Sequence, residues 1–488
     1  MQTQTLSSAP LLQPTYARAN RVAEARKGEL TVVRDQFKTV DSESQQDVEK
    51  ALRRVMAGET TPGKQYADSQ GRVKHLALMI SQAYVQGEMR DQVLDAYKTL
   101  WTRMEPDTKF TMVAATPQDK ADLEKIIKDN NNNIENPERI QILQPSLPQL
   151  TVWARDMMVP KFMPGEPGKT ALIAQEPLHN WHLDDSQVPA YITDANPSIE
   201  LQTEKAMVTD GGDVQANTKE SFVGYYSLAA TENKIHENLL ASPMKSDVIH
   251  WYQDQTGKKV VETDPKTTFP FRFEPAIAGD GTHITRMVQN PDFKELTVGA
   301  GQISDAKMYD DLAVGVFHSE LGKPVTILGR DNPATPHIEE PASDHMDMAC
   351  TPIDDNTFLV GDPGLAKQLL GLPVGGRNRD NQQDFDAYAE TLKAKGYNVV
   401  RLPHLEPSEN GAPYLTYNNC LMEKFEKDGK EVRRVFLPQY GNEILDQAAT
   451  KIWESQNFEV VPMRLDQLSS SWGALRCISN WLERSDAA

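Results

Sequence analysis

Short apolar strands that alternate with helices of about ten residues, in an order that returns along the chain, predict an α/β fold with internal pseudo-symmetry. The recurring unit is a strand, a helix, a second strand and then a polar motif. It is legible first where Lys109–Ala115 reads as a strand, Gln118–Lys128 as a helix and Arg139–Leu143 as a strand, with Val152-Trp153-Ala154-Arg155-Asp156 closing the unit. It returns as Phe358–Val360, Phe385–Lys395 and Asn398–Leu402. It returns again as Arg434–Pro438, Glu443–Ser455 and Phe458–Pro462, followed by the segment around Cys477.

Residues 1–104 read differently. After a polar leader, Gln45–Met56 and Val73–Trp101 carry helix-period patterns separated by the turn-rich Gly58–Gly63, which predicts a helical N-terminal region ahead of a main domain at 105–488. The stretch 161–330 is broken by Pro, Gly and Asp, so long insertions are expected there, for instance around His179–Pro197 and Asp254–Pro275.

Composition bounds the function. The chain has 488 residues, 39% of them hydrophobic and 25% charged, which is the profile of a globular protein. Its 70 acidic and 51 basic side chains leave a net charge of -19. That field repels phosphate backbones, so nucleic acid is not an expected partner, whereas a cationic ligand suits it. No apolar run is long enough for a membrane span, and Met1–Tyr16 lacks the apolar centre of a secretory leader, so a cytoplasmic location is the default expectation. The three cysteines, Cys350, Cys420 and Cys477, are too few and scattered for a disulfide framework or a clustered zinc site, which favours a reducing compartment. Cys350 and Cys420 are expected to be packing residues.

Four motifs could carry chemistry. In Ser343-Asp344-His345-Met346-Asp347 an imidazole and a carboxylate stand two apart, which on a strand would put both on one face. Trp153-Ala154-Arg155-Asp156 ends an apolar stretch with an acid; its ordinary reading is that Asp156 pairs with Arg155 or caps a turn. Asp210-Gly211-Gly212-Asp213 brackets a glycine pair with two acids, which reads as a plain turn or as a rim holding two carboxylates; the regular acid spacing of a calcium loop is missing. Ser471-Trp472-Gly473-Ala474-Leu475-Arg476-Cys477 is a small-residue turn leading into a cysteine. Such a thiol is inert by default, and reactive only where a neighbouring cation favours the thiolate.

Each motif is ordinary alone. Together and in this order they resemble the guanidine-modifying (pentein) superfamily, which includes arginine, agmatine and protein-arginine deiminases and amidinotransferases. The resemblance covers about residues 105–488 and implies a pentein-type α/β propeller of pseudo-symmetric ββαβ-like repeats. It implies Cys477 as nucleophile, His345 as its acid/base partner and Asp210 as the acid that orients the histidine, in place of the usual glutamate. Asp156 and Asp347 then look like the carboxylates that grip a guanidinium. Asp213, Asn419 and Arg476 are placed with the residues that contact substrate. The Trp-Ala-Arg-Asp form is similar to agmatine and bacterial protein-arginine deiminases, while the acid-Gly-Gly-Asp form and Arg476 before Cys477 are closer to free-arginine deiminases.

The implied activity is hydrolysis of an arginine-type guanidinium through a covalent amidino-cysteine, with neither metal nor organic cofactor. Protein-bound arginine, yielding citrulline and ammonia, is preferred, because the middle insertions and the N-terminal region could form a docking surface. The alternatives are a free-arginine or agmatine deiminase, an amidinotransferase, and a non-catalytic binding module on the same fold.

Overall fold

In the computed structural model, residues 42–485 are described, except 175–183, 265–266, 268–270, 278–282, 293–297, 330–344, 374–381 and 406–413. The leader, Ser343 and Asp344, and parts of both expected insertions lie outside the described residues.

One motif is built five times, each time as an antiparallel strand pair whose second strand runs through helix into a third strand parallel to it. In the first repeat Val73–Ile80 is followed by helix Gly87–Arg103 and strand Lys109–Ala114, and its antiparallel partner is Ser479–Arg484 from the far end of the chain. The second repeat runs Met158–Phe162, Thr170–Ala174, helix Val188–Ala195 and Ile199–Gln202. The third runs Val214–Ala216, Ser221–Gly224, three helices (Tyr225–Leu240, Lys245–Thr256 and Asp305–Leu321) and Val325–Leu328. The fourth runs Cys350–Pro352, Thr357–Asp362, helices Pro363–Leu369 and Gln382–Ala394, and Asn398–Leu405. The fifth runs Leu421–Lys427, Lys430–Gln439, helix Glu443–Ser455 and Glu459–Arg464. The fold is therefore α/β with mixed sheets, as the alternation of strand and helix patterns predicts.

Three expectations are corrected. Val73–Ile80 is a strand, not the start of a helix, and sits between strands on both sides. An apolar run such as Leu76–Ile80 looks alike to a buried strand and a buried helix, and periodicity cannot separate them. The proposed boundary at 104/105 consequently falls inside one repeat, whose two ends of chain are held together by the pairing of Val73–Ile80 with Ser479–Arg484. Third, the interrupted stretch 161–330, where no regular elements are read from sequence, holds most of the second repeat and the third. The helices Tyr225–Leu240 and Asp305–Leu321 are buried on several sides, so they lack the single apolar stripe that marks a surface helix in sequence.

The N-terminal helix Ser42–Ala57 packs on those two helices, and its Val55 fills the space a side chain at Gly315 would need. Beneath it lies a buried ionic cluster. Arg54 pairs with Glu320 at 2.5 Å and with Glu204 at 2.7 Å, and buried Lys161 donates to Thr61 Oγ1 and to the Glu320 carbonyl, both at 2.6 Å. No helix among the described residues is long and apolar enough to cross a membrane. Glu320→Ala removes the carboxylate that Arg54 shares with Glu204 and whose charge offsets buried Lys161, so it is expected to lower unfolding free energy by roughly 2 kcal/mol, read from urea denaturation.

Candidate active site

The turn before the first strand of every repeat delivers a polar side chain. Asp156 precedes Met158–Phe162, Asp210 and Asp213 precede Val214–Ala216, and His345 and Asp347 precede Cys350–Pro352. Asn419 precedes Leu421–Lys427, and Cys477 precedes Ser479–Arg484. These turns are bonded to one another in a closed ring. Arg155 N donates to Cys477 O at 3.0 Å, and Gly211 N to Asp156 O at 3.2 Å. Met346 N donates to Asp213 Oδ1 at 3.0 Å, and Asn418 Nδ2 to Ala349 O at 3.0 Å. The ring closes where Arg476 N and Cys477 N both donate to Asn419 Oδ1, at 2.9 and 3.2 Å.

At its centre, one ring nitrogen of His345, one carboxylate oxygen of Asp347 and the Cys477 sulfur lie within 4.8 Å of one another. That spacing suits a catalytic trio, and equally three ligands of a metal ion. His345 Nε2 stands 3.1 Å from Asp210 Oδ2, and Nδ1 stands 3.8 Å from Asp156 Oδ1. Asn419 Nδ2 donates to the Cys477 sulfur at 3.1 Å. The glycine pair makes this approach possible. A Cβ on Gly212 would fall 2.5 Å from His345 Nδ1, and one on Gly211 would fall 2.1 Å from the Arg155 carbonyl oxygen.

Burial alone would strip His345 of its proton, but the charge of Asp156 and the bond to Asp210 outweigh it and hold the imidazole well above its ordinary pKa. The Cys477 thiol is pushed up, first by burial and next by the negative charge of Asp347, against the lowering contact with His345. Both shifts favour the protonated forms of the imidazole and the thiol. Burial also raises Cys350 and Cys420, which pack in the core as inert thiols.

Several sequence expectations are revised. His345 and Asp347 lie on no strand; His345 caps a single helical turn, Met346–Ala349, whose tightness still brings both side chains to the centre. Trp153–Asp156 is a turn before a strand rather than the end of one. Asp213 does not face a substrate: Oδ2 accepts from Ser227 N at 3.1 Å and Oγ at 2.6 Å, and Oδ1 accepts from Met346 N. Burial pushes its pKa up to about 7 against those bonds. Arg476 is likewise spent internally. Its guanidinium donates to Asp68 Oδ1 at 3.1 and 2.9 Å, to Asp347 Oδ2 at 2.7 Å, and to the carbonyls of Gly211 and Val214 at 3.3 and 2.9 Å.

Two supporting residues escape the sequence reading. Asp68 comes from the N-terminal stretch, and nothing local marks it as the partner of an arginine over 400 positions away. Arg155 does not pair with Asp156 but stacks on Trp481, 3.8 Å from the ring centroid.

No protein-family model matches the chain, and no curated sequence matches it. Solved structures do match. One designated a peptidyl-arginine deiminase is 13% identical with a TM-score of 0.50, covering 87% of this chain and all of its own. One designated an agmatine deiminase is 13% identical with a TM-score of 0.50, covering 88% and 96%. The C. jejuni agmatine deiminase is 12% identical with a TM-score of 0.47, covering 86% and 95%. The likeness is one of fold: the chain shares the α/β fold of these deiminase structures.

His345 carries a pKa raised on folding, so its proton stabilises the native state fully below about pH 6.5, and that stability is lost as pH rises through the folded value. Asp210→Asn removes a charge that holds the proton. The His345 ring is then expected to titrate at lower pH in NMR spectra, with a correspondingly smaller loss of stability on the alkaline side; an unchanged titration would detach Asp210 from His345.

Proposed function

We propose that this chain is a cysteine-dependent deiminase acting on an arginine-type guanidinium, with its repeats arranged as a five-bladed α/β propeller around the site. The observation that carries the reading is the convergence of Cys477, His345 and Asp347 within 4.8 Å, inside a ring of turns drawn from all five repeats. The hydrogen-bonded closure of that ring supports the propeller arrangement.

The chemistry follows from the charges. A guanidinium is planar and delocalised, so its carbon is a poor electrophile until carboxylates hold the nitrogens in forked geometry. Asp347 is oriented for this: Oδ2 is held by Arg476, while Oδ1 has no hydrogen-bond partner among the described residues. Asp156 supplies the second carboxylate. Entry of the cation offsets the acids that keep the thiol protonated, so the thiol releases its proton to solvent and the substrate itself promotes the thiolate, while His345 keeps its own proton for the leaving nitrogen. The sulfur attacks the central carbon, His345 gives its proton to the departing nitrogen, and the C–N bond breaks to release ammonia. A covalent amidino-cysteine remains. Water then loses a proton to His345 and attacks the same carbon, the C–S bond breaks, and a ureido product leaves with the thiol regenerated. Asn419 holds the sulfur and its backbone in place, and Asp213 does the same for the histidine turn through Met346.

Peptide-bound arginine is the substrate proposed first, because exposed aromatic surface flanks the turn that carries Cys477. Agmatine, a dication, is the second reading, favoured by the excess of 70 acidic over 51 basic side chains. A reducing, cytoplasmic setting suits the three free thiols.

Ammonia release from an arginyl peptide, free arginine and agmatine, compared side by side, tests the reading. Release from none of them would reject it, and mass spectrometry of the product separates a ureido group from a transferred amidine. Cys477→Ser is expected to abolish turnover and the covalent adduct together. Gly212→Ala displaces the imidazole without touching substrate, and kcat/KM is expected to fall by about 10²-fold with the far-ultraviolet circular dichroism unchanged.

A further inference from the structure

Among the described non-glycine residues, five have left-handed backbone: Asn133, Asn136, Asp428, Asn457 and Trp472, the last at φ 64°. Four are Asn or Asp, whose short polar side chains tolerate that conformation; an indole has no such excuse. Trp472 is also the most exposed large hydrophobic side chain among the described residues, at 64%. The fold thus accepts a strained backbone at a residue whose apolar ring is left largely open to water, a combination that costs stability.

Its position gives the ring a use. Trp472 lies on the turn that ends in Cys477, and its amide donates to the Ser469 carbonyl at 3.1 Å. Gly473 is pressed so closely on Trp153 that a Cβ there would fall 2.3 Å from the indole, which ties this backbone to the turn bearing Asp156. On its other side the Trp472 ring lies 5.8 Å from Tyr414, inclined at 39°. The exposed ring therefore stands on the turn that carries the nucleophile, next to backbone that packs on the turn of Asp156.

We propose that Trp472 is a specificity-determining residue, an aromatic platform on which the peptide chain flanking a substrate arginine lies. The proposal rests on the deiminase reading for the direction in which the arginine stem emerges. With the guanidinium held beside Cys477, the aliphatic stem must lead out to solvent, and Trp472 is the exposed ring on the turn that carries the nucleophile. A flat indole suits peptide planes and methylene stems, and it contributes nothing to a ligand that ends before reaching it.

The test measures binding by titration calorimetry in Cys477→Ala protein, with and without Trp472→Ala, using a blocked arginyl tripeptide and agmatine as probes. The peptide is expected to bind about tenfold more weakly without the ring, agmatine to change by less than about twofold, and Trp472→Phe to restore most of the loss. Trp472→Gly relaxes the backbone, so it is expected to weaken the peptide equally while raising the melting temperature. Peptide affinity that ignores the substitution, an equal loss for agmatine, or a melting temperature lowered by glycine would each overturn the proposal. Peptide that binds through Trp472 yet releases no ammonia from wild-type protein would fail the deiminase reading and leave the platform standing.

Discussion

The site depends on one buried cation. Arg476, the residue before Cys477, has both its flanking turns and its acids arranged around it, and each nitrogen of its guanidinium donates to protein oxygen: two carboxylates and two backbone carbonyls. A buried charge costs several kcal/mol unless its partners are complete, and a partly satisfied network is worse than none. Here completeness requires four separate segments to be in place at once. Asp68 brings the N-terminal strand region, Gly211 and Val214 bring the third repeat, Asp347 brings the fourth, and Arg476 itself belongs to the turn of the first. The position of the nucleophile is thereby coupled to the position of the acid that would face it.

The same arrangement explains the electrostatic state of the centre. Asp347 is bonded to Arg476 through one oxygen and stands beside Cys477 and His345, so its charge raises the thiol while Asp156 and Asp210 hold the imidazole's proton. An imidazolium next to a neutral thiol is a poor nucleophilic pair in the resting state. In the proposed reaction a cation bound among the acids would reverse the balance on the sulfur and so couple reactivity to occupancy.

The five repeats solve a positioning problem that a single loop could not. Each strand pair offers one turn to the centre, and hydrogen bonds between successive turns hold them to one another rather than only to their own sheets. Glycine at 211 and 212 lets two of these turns and the imidazole approach to distances that any side chain would forbid. Groups held in this way need no reorganisation when charge develops on the substrate, which is the condition for electrostatic catalysis.

The sequence by itself determined the α/β class, the repetition of strand and helix, and the four motifs that supply Asp156, Asp210, His345 and Cys477, because turn chemistry and apolar periodicity are local properties. It misread Val73–Ile80 and passed over the helices Tyr225–Leu240 and Asp305–Leu321, where burial on several faces erases the amphipathic pattern that sequence reading needs. Only the tertiary structure decided which polar groups face inward to a ligand and which are consumed as scaffold. Asp213 and Arg476 are consumed as scaffold by partners within 3.3 Å, drawn from distant segments. Hydrogen-bond saturation is a property of the folded neighbourhood, and no spacing along the chain encodes it.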